Sequence, residues 1–461
     1  MRAPWTGLRR AAVHFVRALS VLCVVPTTHA AAVDLPAAPL PYLVGGQATA
    51  IWQYHSTFDS RYQGPNSLRP QAEDAISHTY TLYTGVRPQP WLDLYADPEM
   101  VRGRGLSDAL GLAGFTNGEV IRNPDIGTDP YLARLFLRVT LPLSEETEQI
   151  ETGQLQIAGT RPTHRLTVTL GIFATNDLFD INRYANNTRT QFMNWALITN
   201  AAYDFAADTR GYSRGIAVEW AAPDLAVRAG ILQMPTVANG IDLDSDVASS
   251  HGTQLEGEFH RALLPDRPLV LRSFFFANQA RMGDYRRSIA LAHQQGGVPD
   301  ITATRQRGAL KYGFGFNLEQ PLTADGETGL FARLGWNDGA TESFAFTEAE
   351  RSVSLGAQIA GGFWRRPDDR VGVAVVANEL GNAHADYLGA GGRGFVLGDG
   401  RLNRRPEIIT ETYYALQLLS WFAVSIDYQF IDNPGYNRDR GPVSVVSLRG
   451  HLEGTASSPT L

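Results

Sequence analysis

Between Pro406 and Glu453, apolar and polar side chains alternate at every second position through three successive runs. In the first run Ile408, Tyr414, Leu416 and Leu418 hold even positions, and Glu411, Ala415 and Gln417 hold odd ones. The phase survives the break at Leu419-Ser420: Phe422, Val424, Ile426, Tyr428 and Phe430 are even, against Ser425, Asp427 and Gln429. The third run sets Val446, Leu448 and Leu452 against Ser447, Arg449, His451 and Glu453. Successive side chains of a strand point to opposite faces, so each run has one apolar face and one face of charges and amides. A soluble β-protein alternates too, with its apolar face on a core. Two details favour a transmembrane barrel. Tyr414, Phe422, Tyr428 and Phe430 lie near strand ends, where interfacial aromatic girdles sit, and the connections switch between very short and long and polar (Asp432 to Gly441). In this phase Val424 faces lipid and Ser425 faces the wet interior.

Residues 1–30 read as a secretory signal peptide: Arg2, Arg9, Arg10 and Arg17 precede the short apolar run Ala18 to Val25, and Thr28-His29-Ala30 offers a small-x-small cleavage site. Cys23 raises a lipoprotein alternative, which Leu22 disfavours because a small residue would be expected there. Cleavage after Ala30 removes the one cysteine and leaves no disulfide or thiolate chemistry. It also removes four arginines and no acid, taking the formal charge from -7 to -11. That acidity argues against nucleic acid as a partner. Hydrophobic residues make up 44% of the chain, yet after the signal no apolar run approaches the ~20 residues of a membrane helix. Such content spread at period two fits a barrel.

Residues 31–45 form a proline-rich lead-in, and the first strand is expected from Gly46 to His55. Further strands are expected at His78 to Arg87, Trp91 to Asp97, Arg134 to Leu141, Arg165 to Phe173, Gly215 to Trp220, Ala226 to Leu232 and Gln254 to His260. The series continues at Leu269 to Ala277, Tyr312 to Leu318, Leu330 to Asn337, Val353 to Ala360 and Val371 to Asn378. Pro98 to Tyr131 lacks the period, and its Leu106 to Leu112 portion could make a turn or two of helix; a segment this long is usually functional or folds into the lumen. One barrel domain, 46–453, followed by a tail, 454–461, is the simplest organisation.

The block GIFATNDLFDINRYANNTRTQFMNWALITNAAYDFAAD (Gly171 to Asp208) resembles the central segment of the carbohydrate-selective porins of the OprB family. So do GQATAIWQYH (Gly46 to His55), YQGPNSL after it, and PEMVRGRGLSDALGLAGFTNGE (Pro98 to Glu119). RLGWNDG (Arg333 to Gly339), GGFWRRPDD (Gly361 to Asp369) and YQFIDNPGYNRDRGPV (Tyr428 to Val443) follow in the expected order. The resemblance implies an all-β, transmembrane antiparallel barrel of about 16 strands in a bacterial outer membrane, with in-folded loops constricting the lumen. It implies passive diffusion of glucose-like saccharides, no cofactor and no metal. Its partners would be mono- or oligosaccharide solutes, outer-membrane lipid, the barrel-assembly machinery and a possible homotrimer. Barrels of this kind usually end on an aromatic residue, whereas this chain runs on through GTASSPTL to Leu461.

A porin needs a wet constriction whose lining matches the solute, not reacting groups. Parity nominates Arg134, Arg138, Arg165, Arg333, Glu411, Asp427, Gln429 and Arg449 as pore-lining contacts. Within the 171–208 block, Asn176, Asp177, Asp180, Arg189 and Gln191 are either an inward loop that shapes the constriction or a surface loop whose Asn and Asp close turns. Asp242, Asp244 and Asp246 open like a calcium loop, but Val247 and Thr253 replace the Gly and Glu that such a loop needs, so a solvated acidic loop is the better reading. Ser250-His251 could suggest a hydrolase, yet strand neighbours point to opposite faces and no acid is nominated. A general, non-selective porin and a structural or adhesive surface barrel stay open as alternatives.

Overall fold

The computed structural model describes residues 40–120, 129–344 and 347–457. The expected signal peptide and residues 31–39 of the lead-in lie outside the described residues, as do 458–461. The strands, in chain order, are β1 Tyr42–His55, β2 Glu73–Gln89, β3 Leu92–Gly103, β4 Tyr131–Pro142, β5 Thr147–Ile150, β6 Gly159–Pro162, β7 Arg165–Phe173, β8 Ser213–Ala222 and β9 Leu225–Gln233. They continue as β10 His251–Leu264, β11 Arg267–Met282, β12 Gln306–Pro321, β13 Gly329–Asn337, β14 Arg351–Ala360, β15 Arg370–Glu379, β16 Glu407–Leu419, β17 Phe422–Asp432 and β18 Val443–Ser457. Among the described residues, β5 and β6 pair only with each other, and the other sixteen close into one antiparallel barrel sealed by β1 against β18. Closure leaves no unpaired edge, which is the condition for strands to cross a bilayer.

Every stretch expected from alternation lies within a barrel strand, except that Trp91 stands in the turn before β3. Most strands run a few residues longer than expected, and both ends of the barrel domain move. β1 begins at Tyr42, not Gly46, and β18 runs through Ser457, past Glu453, because Leu43, Val44 and Gly45 pair with Ser457, Ala456 and Thr455. Much of the expected tail is therefore part of the closing seam. Both seam ends lie beside the brief connections 90–91, 223–224, 265–266 and 420–421, at what is the periplasmic end in barrels of this construction. Long connections occupy the opposite end.

The outer wall follows the expected phase: Ile426 is 55% exposed in the middle of β17, while Ser425, Asp427 and Gln429 are buried. Arginine at Ile426 is expected to cost about 2–4 kcal/mol, as for a cation at the bilayer midplane. The other half of the expectation is corrected, since Ser425 does not face water. Its Oγ accepts from Arg449 Nη2 at 2.9 Å beneath packed chain, so Ser425→Arg also fails, through overpacking and a second buried cation. Urea titrations of both variants in vesicles check this; unimpaired folding of either refutes it.

Two segments of the long-loop end, 104–120 and 174–212, turn into the lumen and fill it on the side of β11–β18. Phe179, Tyr184, Phe192, Met193 and Leu197 are fully buried there, and Trp195 N–H bonds the Phe115 carbonyl at 3.1 Å, joining the two segments. The approach is closest at Gly335, where an added Cβ would stand 1.9 Å from Asn200 Oδ1. The helix expected at Leu106 to Leu112 is corrected to a single tight turn, Leu106–Ala109. Ser107, Asp108 and Ala109 take φ of 51°, 58° and 58°, a left-handed run that right-handed helix formation excludes. Glu73 supports it by accepting from both the N–H and the Oγ of Ser107.

Candidate functional site

The eight nominated wall residues divide into two groups. Arg333, Glu411, Asp427, Gln429 and Arg449 point inward as parity requires, but the in-folded segments cover them, with 0–3% exposure. Arg333 donates to Asp180 Oδ1 (3.1 Å) and to the carbonyls of Leu197 (2.8 Å) and Ala185 (2.8 Å). Glu411 accepts from the Met193 and Asn194 N–H groups. The Asn194 side chain bridges the Gly114 carbonyl and Gln429 Oε1 at 2.9 and 3.0 Å. Arg449 donates to the carbonyls of Thr188 and Gln191, and Asp427 lies beneath beside Gln429. The expectation that these five line open water is therefore corrected. A charge on the inner wall satisfies the backbone of whatever packs over it, and here that is 113–118 and 180–201.

Open space remains on the side of β2–β10. Its upper part is a cavity of about 230 Å³ bordered by both in-folded segments and the wall. Arg189 stands in it, donating to Glu119 Oε2 (2.7 Å), Thr81 Oγ1 (2.9 Å) and Glu99 Oε2 (2.8 Å). Burial alone would lower its pKa, but Glu119 and Glu99 hold it above arginine's ordinary value. Glu99 Oε1 also accepts from Tyr131 Oη (2.6 Å) and Tyr212 Oη (2.9 Å). Arg134 forms a fork on Asp177 (2.7 and 2.7 Å) and lies over the Tyr212 ring. Arg210 covers the Tyr131 ring at 4.1 Å, and its side chain donates no hydrogen bond to any described residue. Asn176 borders the same cavity.

Below it lies a chamber of about 710 Å³, with Asp177 and Gln154 shared between the two. Opposite charges alternate around its wall. Arg161 meets Glu148 (2.7 Å), Glu148 meets Arg165 (3.4 Å), and Arg165 meets Glu219 (3.3 Å). Glu219 meets Arg228 (2.7 Å) and Arg228 meets Glu258 (2.8 Å), which is backed outside the chamber's lining by Arg272 (2.7 Å). Arg138, also in this chamber, stacks over Tyr95 at 5.3 Å and donates to the Leu155 carbonyl. Arg134, Arg138 and Arg165 are thus the three nominated wall residues that border open space.

The family model of carbohydrate-selective porins, OprB family, matches residues 81–453. This chain belongs to that family. Among solved structures, the high-pH structure of Pseudomonas putida OprB superposes with a TM-score of 0.69 at 15% identity, covering 90% of this chain and 94% of that one. The low-pH structure of the same protein (12% identity, covering 90% and 93%) and the outer membrane channel DcaP of Acinetobacter baumannii (8%, covering 90% and 97%) both give 0.48. A comparison with curated proteins finds no match. The chain is a sugar porin of the outer membrane, a channel rather than an enzyme.

In this porin the 171–208 block is the inward loop, not a surface one. Asn176, Asp177 and Arg189 border the upper cavity, and Asp180 and Gln191 hold the loop from within. Asp180 accepts from Asn317 and Asn200, and Gln191 Oε1 caps the Asn186 and Asn187 N–H groups. Reading by parity missed Glu99, Glu119, Tyr131, Arg210 and Tyr212. Glu99 and Glu119 lie in the Pro98 to Glu119 resemblance block, where the run of family residues was the available signal, and Arg210 stands two residues past the Gly171 to Asp208 block. The Asp244–Asp246 loop closes turns and pairs with Arg307. Ser250 is buried and His251 bonds the Val247 carbonyl.

Proposed function

We propose that this porin passes neutral saccharides of glucose-like size in preference to charged solutes, and that its narrowing is the cavity around Arg189 and Arg210. The observation that carries this is the interleaving of Arg134, Arg189 and Arg210 with Glu99, Glu119 and Asp177 in one small opening. A lining of one sign would focus a potential and select ions. Paired opposite charges offer hydrogen-bond donors and acceptors with little net field, which suits polyhydroxyl solutes. Arg210, whose side chain donates to no described residue, is a donor for sugar hydroxyls, and the aromatic rings beside it suit sugar C–H faces. Export through a cleaved signal peptide and insertion by the barrel-assembly machinery belong to the same reading.

Liposome swelling tests it. Glucose is expected to enter faster than gluconate or an amino acid of similar bulk. Arg210→Ala is expected to narrow that difference, through the glucose rate, without changing the thermal unfolding of the barrel. If wild-type rates follow solute size alone, the protein is a general porin and the reading fails.

A further inference from the structure

Residues 143–164, which join β4 to β7, stand at the end of the barrel where connections are brief, yet they fold back inside as the β5–β6 hairpin. Its root is closed by the Leu143 N–H to His164 carbonyl bond at 2.8 Å. Its tip crosses the inner faces of β3 and β2 and is tied to the far side of the seam. Thr152 Oγ1 bonds Ser457 Oγ of β18 at 2.9 Å, and Gln154 Nε2 bonds Gln47 Oε1 of β1 at 2.9 Å. Between root and tip, Arg138 donates to the Leu155 carbonyl at 2.8 Å, Arg87 donates to the Ile157 carbonyl at 3.2 Å, and Ile157 is fully buried. A segment fixed at both ends and in the middle is a strut, not a loose lid.

We propose that this hairpin is a fixed strap that makes the chamber below the narrowing a second saccharide-selecting site, one that acts on solute length. The inference rests on the saccharide reading of the channel. Gln154, at the tip, borders both the upper cavity and the chamber, so a solute leaving the narrowing meets the strap at once. It must turn toward the wall of β7–β10, where Glu219, Arg228 and Glu258 carry the alternating charges. The chamber's volume of about 710 Å³ lies within the ~300–1,000 Å³ of small-ligand sites, so a single sugar ring can turn inside it. A rigid two-ring sugar is still held in the narrowing when its leading ring reaches the strap. Exclusion of longer saccharides then arises from two narrowings in series, not from the width of the upper one.

The test shortens the strap. Residues 145–162 are replaced by Asn-Gly, which restores a two-residue hairpin turn. A second variant, T152A/Q154A/R138A, keeps the hairpin and removes its ties. Liposome swelling with sucrose and glucose, and single-channel conductance, are compared with wild type. The sucrose-to-glucose rate ratio is expected to rise at least about threefold in the shortened protein and by less in the untied one, with higher conductance in both. An unchanged sucrose-to-glucose ratio in a shortened protein that runs as a folded barrel overturns the proposal. Where shortening prevents folding, an unchanged ratio in the untied variant overturns it. Equal passage of glucose and gluconate in wild type would instead sink the saccharide reading, while the change in sucrose passage between variants still decides the strap.

Discussion

Replacing Arg333 by alanine is expected to free the in-folded segment 174–212 and to turn a narrowed channel into a wide, unstable one. The Arg333 side chain is 2% exposed and pairs with Asp180, itself 2% exposed. It also holds the Leu197 and Ala185 carbonyls, from two separate turns of the segment. Removing one partner of a buried pair leaves an uncompensated charge, typically at a cost of about 3–5 kcal/mol. The loss falls mainly on the segment, because the β12–β13–β14 ladder around Arg333 needs no side chain to persist. The expected result is a several-fold rise in single-channel conductance, loss of glucose-over-gluconate preference and a lower unfolding temperature. Adding Asp180→Asn should restore part of the stability, since it removes the orphaned charge and asparagine tolerates the φ of 56° at that position. Wild-type conductance and stability in Arg333→Ala would show that the clamp is dispensable.

The wall was legible in the sequence because period-two alternation is a local property, and lipid leaves the outer face no other solution. Local alternation does not report what packs on the inner face. Glu411 and Arg165 give the same parity signal, yet one is sealed under the Met193 and Asn194 backbone and the other borders the chamber. The in-folded segments have no period and satisfy their backbone on the wall, so they were visible only as runs of family residues. The start of β1 was missed where Gly45 follows a proline-rich stretch. That glycine is a packing device, since an added Cβ would stand 2.2 Å from the Tyr83 ring. The end of β18 was missed because Gly454 to Ser457 are small and carry no alternation. The strap was missed although a topological clue was present: the fourth and fifth barrel strands must join at the end that 90–91 and 420–421 close in two residues, so 143–164 is too long for its place.

Arg449 offers the sharpest separation of holding a loop from touching a solute. It is fully buried, 0% exposed, and sits in β18, two strands around the barrel from β2, whose Thr81 meets Arg189. Its guanidinium donates to the Thr188 and Gln191 carbonyls and to Ser425 Oγ. Thr188 and Gln191 bracket Arg189, the arginine that meets Glu99 and Glu119 across the opening. Arg449 therefore sets where the Arg189 backbone stands. Its replacement by alanine is expected to strand those carbonyls, leave Asp427 and Glu411 without a nearby cation, and shift Arg189 away from Glu99. Glucose preference should then collapse, as is expected also of Arg189→Ala. Lysine should rescue little, because one compact ammonium cannot serve three acceptors arranged for a planar fork. In the Arg449→Lys protein, swelling that discriminates glucose from gluconate as wild type does would show that positive charge alone suffices there and that the fork geometry is incidental.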